Sequence, residues 1–126
     1  MPKSSAKSLP SLSIRIDLEP AGRIGPGKIL LLENIEKCGS ISAAGRAMDM
    51  SYKRAWDLVD EINRICRQSA VEPQTGGRNG GGAVLTPFGA SLVKRYRKIE
   101  RDAASAVRRE LQALRGEISR PKKRAG

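Results

Sequence analysis

Histidine is missing from this chain altogether, and cysteine occurs only twice, at Cys38 and Cys66. Without histidine the commonest general base of enzymes is gone, and no Ser–His, Cys–His or HExxH arrangement can be drawn. The nearest carboxylate pairs, Asp57 with Glu61 and Asp60 with Glu61, fall on the polar side of a helical pattern and read as solvated charges. The chain is therefore read as a non-enzyme, without catalytic residues or a cofactor. Two cysteines are too few for a disulfide framework. With no histidine beside them they make a poor zinc set, so no metal site is expected. Aromatic residues are scarce as well, at 3% of the chain, with Trp56 the single tryptophan. No apolar run nears the ~20 residues that span a bilayer. Met1 to Ser13 lacks the apolar stretch of a signal peptide. These absences point to a cytoplasmic protein with no membrane partner.

What the chain has in excess is positive charge. Lysine and arginine total 24 against 13 acidic residues, a net charge of +11 on 126 residues. That length holds one domain with one modest core. A single domain this basic fits a polyanionic partner.

Hydrophobic spacing gives the order of elements. Residues 1–11 are rich in Ser, Lys and Pro and read as disordered. Leu12 to Glu19 alternates apolar and polar, the pattern of a half-buried strand, with a short return at Arg23 to Gly25 after a turn at Pro20 to Gly22. A helix opens at Pro26 or Gly27, runs to about Lys37 on an apolar face of Ile29, Leu30, Leu31, Leu32 and Ile35, and closes at Gly39. A second, short helix covers roughly Ser42 to Met48 and is built of small residues. The break at Met48-Asp49-Met50 uses Asp49 in the left-handed region. Ser51 caps a third helix, whose apolar stripe is Ala55, Trp56, Val59, Ile62 and Cys66, with Leu58 and Ile65 beside it. Trp56 is assigned to the core.

Three helices with short connections, the middle one small enough to brace the third, form a helix-turn-helix pattern. Two strand signals follow, around Val71 and at Ala83 to Thr86, joined by a glycine-rich loop from Gly76 to Gly82; they read as a wing. The loop is a poor nucleotide cradle, because no GxxxxGK[ST] pattern is present and no helix starts directly after it. Thr86 and Pro87 cap and open a last helix expected to run unbroken to about Arg115, ending at Gly116. Leu92, Tyr96, Ile99, Ala103, Val107, Leu111 and Leu114 make a stripe along it that outlasts one small domain and calls for a second copy of the same helix. Residues 117–126 carry a basic tail, Arg120 to Arg124.

Gly25-Pro26-Gly27-Lys28, Gly39-Ser40-Ile41-Ser42-Ala43-Ala44, Met50-Ser51-Tyr52-Lys53-Arg54-Ala55-Trp56, Thr75-Gly76-Gly77, Gly80-Gly81-Gly82-Ala83 and Leu85-Thr86-Pro87-Phe88-Gly89, taken together, resemble the N-terminal DNA-binding domain of the ModE-type molybdate-responsive regulators, a LysR-like domain. The likeness covers about Leu12 to Glu100. It implies a mostly α fold with a small β wing: a winged helix-turn-helix over residues 12–116 with a long C-terminal dimerisation helix. It also implies a homodimeric transcriptional regulator on double-stranded DNA. Family members that sense molybdate carry a C-terminal pair of small β domains. This chain is expected to end in a helix and basic tail instead.

On that reading the operator is an inverted repeat, with two helices in successive major grooves. Ser51, Tyr52, Lys53 and Arg54 are candidates for contact with bases or phosphates, and Arg54 is the best base reader through its planar fork. Lys28, Arg46, Lys53 and Arg78 are expected on phosphates, and Ser42 offers its hydroxyl or its helix N-terminus to another. Two rival readings stand beside this one. A small molybdate-binding protein would use the glycine-rich loop, and an architectural nucleic-acid binder would use the basic tail.

Overall fold

The structure, a computed structural model, describes residues 11–74 and 81–119. The expected wing tip with Arg78, all but the last residue of the segment 1–11 expected to be disordered, and the basic tail from Arg120 lie outside the described residues. In chain order the elements are β1 (Ile16–Leu18), β2 (Gly22–Ile24), α1 (Pro26–Cys38), α2 (Ile41–Ala47), α3 (Tyr52–Cys66), β3 (Val71–Gln74), β4 (Gly82–Leu85), α4 (Pro87–Ala106) and α5 (Arg108–Ser119). The mostly α winged helix-turn-helix expected from the sequence is the architecture observed. Two compact units divide the chain. One is Ser13–Arg97; the other holds Leu12 and its predecessors together with Lys98 onward.

Within the Ser13–Arg97 unit, local chemistry sets each element. Pro26 sits in the first turn of α1, where its missing N–H costs nothing. Gly39 ends α1 at φ 81, with its N–H on the Ile35 carbonyl at 2.8 Å. Ile29, Leu31, Leu32 and Ile35 are fully buried, each side chain contributing about 1.5–3 kcal/mol of transfer free energy. Leu30, expected on that face, turns to solvent instead and is 44% exposed. In α2, a Cβ on Gly45 would stand 3.1 Å from the Ala55 Cβ, so the small residue is what lets α2 and α3 approach. Asp49 adopts φ 56 in the break between them, as expected.

The strands are shorter than their sequence signals. Of Leu12 to Glu19 only Ile16–Leu18 pairs, with Ile16 opposite Ile24 and Asp17 opposite Arg23. β3 and β4 pair antiparallel, with Val71 opposite Leu85 and Gln74 opposite Gly82. This wing is bolted to the helices. Asn63 Oδ1 accepts from the Ala70 N–H at 2.8 Å, the Ala83 N–H donates to the Gly39 carbonyl at 2.9 Å, and Thr86 Oγ1 donates to the Ser69 carbonyl at 2.7 Å. Thr86 also caps α4, accepting from the Gly89 N–H at 3.0 Å. A Cβ at Gly89 would run into the Ala70 carbonyl, so the first turn of α4 requires glycine there.

The last helix departs from expectation twice. It is interrupted at Val107, and it passes through Gly116 to Ser119. The interruption is slight, since Val107 N–H still donates to Ala103 and Leu111 N–H to Val107, both at helical spacing. Gly116 is tolerated because glycine in an exposed helix position costs only about 1 kcal/mol relative to Ala. The expected partner stripe also splits. Tyr96 is 1% exposed, its hydroxyl donating to the Ile14 carbonyl at 2.6 Å, and Leu92 packs on the same core. Those two residues serve the chain's own core. In the other unit Ile99, Leu114 and Ile118 are exposed, and Ala103, Val107 and Leu111 are half-buried.

Candidate nucleic-acid interface

The helix-turn-helix presents the first turn of α3 to solvent. Ser51 fixes where that turn begins, its Oγ accepting from the Arg54 N–H at 3.0 Å. Its hydroxyl proton remains available to donate. From there a helix steps about 100° per residue, which sorts α3 into faces. Ala55, Leu58, Val59, Ile62 and Ile65 are buried. Lys53 and Asp57 form the outward ridge, paired at 3.2 Å. Tyr52 and Trp56 lie on one flank and Arg54 on the other.

Trp56 is the main correction to the sequence reading. It is 38% exposed and not in the core. It stands one full helical step from Ala55, past the edge of the buried stripe. Its ring meets Tyr52, itself 60% exposed, edge-on at a centroid distance of 6.2 Å. Both rings line a concavity of about 630 Å³ between α3 and the wing strands, shared with Ser42, Val71, Pro73 and Gly82. The opposite flank holds a second concavity, of about 570 Å³, to which Arg54 and Lys28 both contribute.

The other candidates fall around this ridge. Ser42 lies in the first turn of α2, not at its cap. That cap is Ser40, which accepts from the Ala43 N–H at 3.0 Å. Ser42 Oγ accepts from Arg46 Nη1 at 2.9 Å, so these two candidates act as one group. Lys28 is only 15% exposed and lies 3.2 Å from Glu61 Oε2. Its charge is therefore partly balanced before any ligand arrives. Lys53 is 83% exposed. Sequence reasoning missed Trp56 and Asp57 as members of this surface. Their angular positions on α3 were available as signals.

Away from the ridge, Glu33 and Arg97 form a two-pronged pair at 2.6 and 2.9 Å that ties α1 to α4. The hydrogen bonds from Arg97 hold the Glu33 carboxyl below the usual glutamate range, against the opposing effect of burial. Burial pushes the Cys66 thiol up. Among the described residues no three His, Cys, Asp or Glu side chains stand together as a metal cluster, and no helix is long and apolar enough to cross a membrane.

Comparison with known proteins sets this geometry in context. No family model matches the chain. It is 40% identical over 88 residues to the transcriptional regulator ModE of Haemophilus influenzae, covering 70% of this chain and 34% of that protein. It is 46% identical over 91 residues to the molybdenum-pterin-binding protein MopB of Rhodobacter capsulatus, covering 71% and 34%. It is 45% identical over 71 residues to the DNA-binding transcriptional dual regulator ModE of Escherichia coli K12, covering 56% and 27%. The chain thus spans about a third of the length of the curated relatives it matches. Two of these relatives are named as transcriptional regulators and one as a molybdenum-pterin-binding protein.

Proposed function

We propose, from the homology of this chain to the N-terminal region of the ModE-type regulators, that it is a sequence-specific DNA-binding transcriptional regulator. In this reading residues 12–116 are the DNA-binding unit. α3 enters the major groove, the β3–β4 wing lies alongside, and two copies bind an inverted repeat through the stripe of the last helix. The observation that carries it is the solvent-facing first turn of α3. Ser51, Tyr52, Lys53 and Arg54 stand there without an acidic residue in the turn, on a helix whose other face is buried against α2.

The roles follow from chemistry. Arg54 makes no ion pair among the described residues, so its guanidinium fork is free to bond a guanine edge in a bidentate way. Tyr52 and Trp56 offer apolar surface to thymine methyl groups. Lys53, Lys28, Arg46, Arg78 and Ser42 act on phosphates and fix register. Asp57 holds Lys53 in place until a phosphate displaces it.

Selection from a random duplex pool tests this. The expected product is an inverted-repeat consensus whose half-sites lie about one helical turn apart. Arg54→Ala then loses discrimination at one position of each half-site, by about 1–3 kcal/mol, with the melting temperature retained. A pool without a consensus contradicts the proposal. Molybdate added to the same assay tests the oxyanion reading, which needs a site in the glycine-rich loop and predicts a change in affinity.

A further inference from the structure

The helix-turn-helix leaves several cations unaccounted for, and they gather on one flank of α3. Arg15 and Arg23, from the β1–β2 hairpin, line the same 570 Å³ concavity as Lys28 and Arg54, with Met48 and Met50 also in its wall. Two of these charges are balanced. Arg15 holds Asp17 through Nε at 3.0 Å and Nη2 at 3.5 Å, and Lys28 lies 3.2 Å from Glu61. Asp17 is the cross-strand partner of Arg23, but its ion pair is with Arg15. Arg23 and Arg54 have no side-chain partner among the described residues. Four cations face two carboxylates, so the groove keeps an uncompensated positive charge that an anion would relieve.

We infer that this flank clamps a backbone phosphate of duplex DNA. Arg23 is the principal contact and Arg15 its neighbour, extending the interface from the helix-turn-helix onto the β1–β2 hairpin. The inference rests on the DNA-binding reading above. Its geometric basis is that α3 is bracketed. The wing borders the flank of Tyr52 and Trp56, and the β1–β2 hairpin borders the flank of Arg54. A major groove about 12 Å wide is likewise bordered by two phosphate backbones. A helix seated in it brings one hairpin to each. The methionines suit the sugar beside a phosphodiester, which a free oxyanion does not carry.

The test is the salt dependence of binding by the full chain, on the selected operator and on random duplex. Arg23→Gln is expected to flatten the slope of log K against log salt by about 0.9. It should lower affinity for both duplexes by the same factor, leaving their ratio unchanged. Arg64→Gln, which removes an exposed cation at the far end of α3, should leave the slope as it is. An unchanged slope for Arg23→Gln overturns the clamp, even where the wild type selects an operator. Conversely, a wild type that selects no operator refutes the proposed function, while the Arg23 slope on random duplex still reports on the groove. Calorimetry with inorganic phosphate and with molybdate closes the test. No saturable heat is expected, and heat that vanishes in Arg23→Gln would make the groove a free-oxyanion site instead.

Discussion

At the residue scale, caps and turns were legible because their chemistry is local. Ser51, Thr86, Gly39 and Asp49 each do in the structure what their side chain or backbone freedom dictates in sequence. Trp56 was not legible by step counting. It lies three residues before Val59, so it joins a chain of three- and four-residue steps, yet a stripe about 100° wide leaves it outside. Its consequences differ sharply from those of a core residue. Trp56→Ala should lower unfolding free energy by about 1 kcal/mol, whereas Ile62→Ala, at a fully buried position, should cost about 2–5 kcal/mol. Urea denaturation of the two variants separates them, and equal losses would return Trp56 to the core. Gly89 could be read only as a glycine in a helical pattern. The reason for it, the Ala70 carbonyl, is nineteen positions away in sequence and appears only in the fold.

At the element scale, helix boundaries were legible except at the end of the last helix. α1 and α3 begin where Pro26 and Ser51 place them. α3 ends after Cys66, where the apolar stripe read from the sequence also ends, although the residue that closes it in the left-handed region is Arg67, at φ 59, an uncommon side chain for that conformation. An L-residue there stores backbone strain that glycine would not. Arg67→Gly is therefore expected to raise stability by about 0.5–1 kcal/mol, read as a higher urea midpoint. A lower midpoint would mean that the arginine side chain supports the turn. Gly116 misled, since an exposed helix passes through it to Ser119. The wing strands were legible from their apolar residues, but their attachment through Asn63, Gly39 and Ser69 was not, because hydrogen bonds to backbone groups in other elements leave no periodic trace.

At the scale of the whole molecule, composition pointed to a polyanion, and the proposed function places it on the exposed cations of α3 and its flanks. The helix-turn-helix unit is held together partly by the Glu33–Arg97 pair, whose effect on stability has a definite sign. Because the folded state lowers the Glu33 pKa, the pair's contribution is complete above the ordinary glutamate value of about 4.3 and is lost as pH falls through the depressed value. The melting-temperature gap between wild type and Glu33→Gln should thus be widest near neutrality and close on acidification below pH ~4. A constant gap would exclude this pair as the cause. The stripe of the last helix was only half legible. Period placed Leu92 and Tyr96 on the same stripe as Leu111 and Leu114, and only the fold separates the residues spent on the chain's own core from the exposed remainder. The central claim, paired recognition of a specific duplex, is tested most directly by titrating the selected operator while following the fluorescence of Trp56, the chain's single tryptophan at the proposed interface. The account predicts quenching that breaks at two chains per duplex, with random duplex of equal length requiring about 10³-fold more protein at the same salt. Identical titrations for operator and random duplex would contradict it.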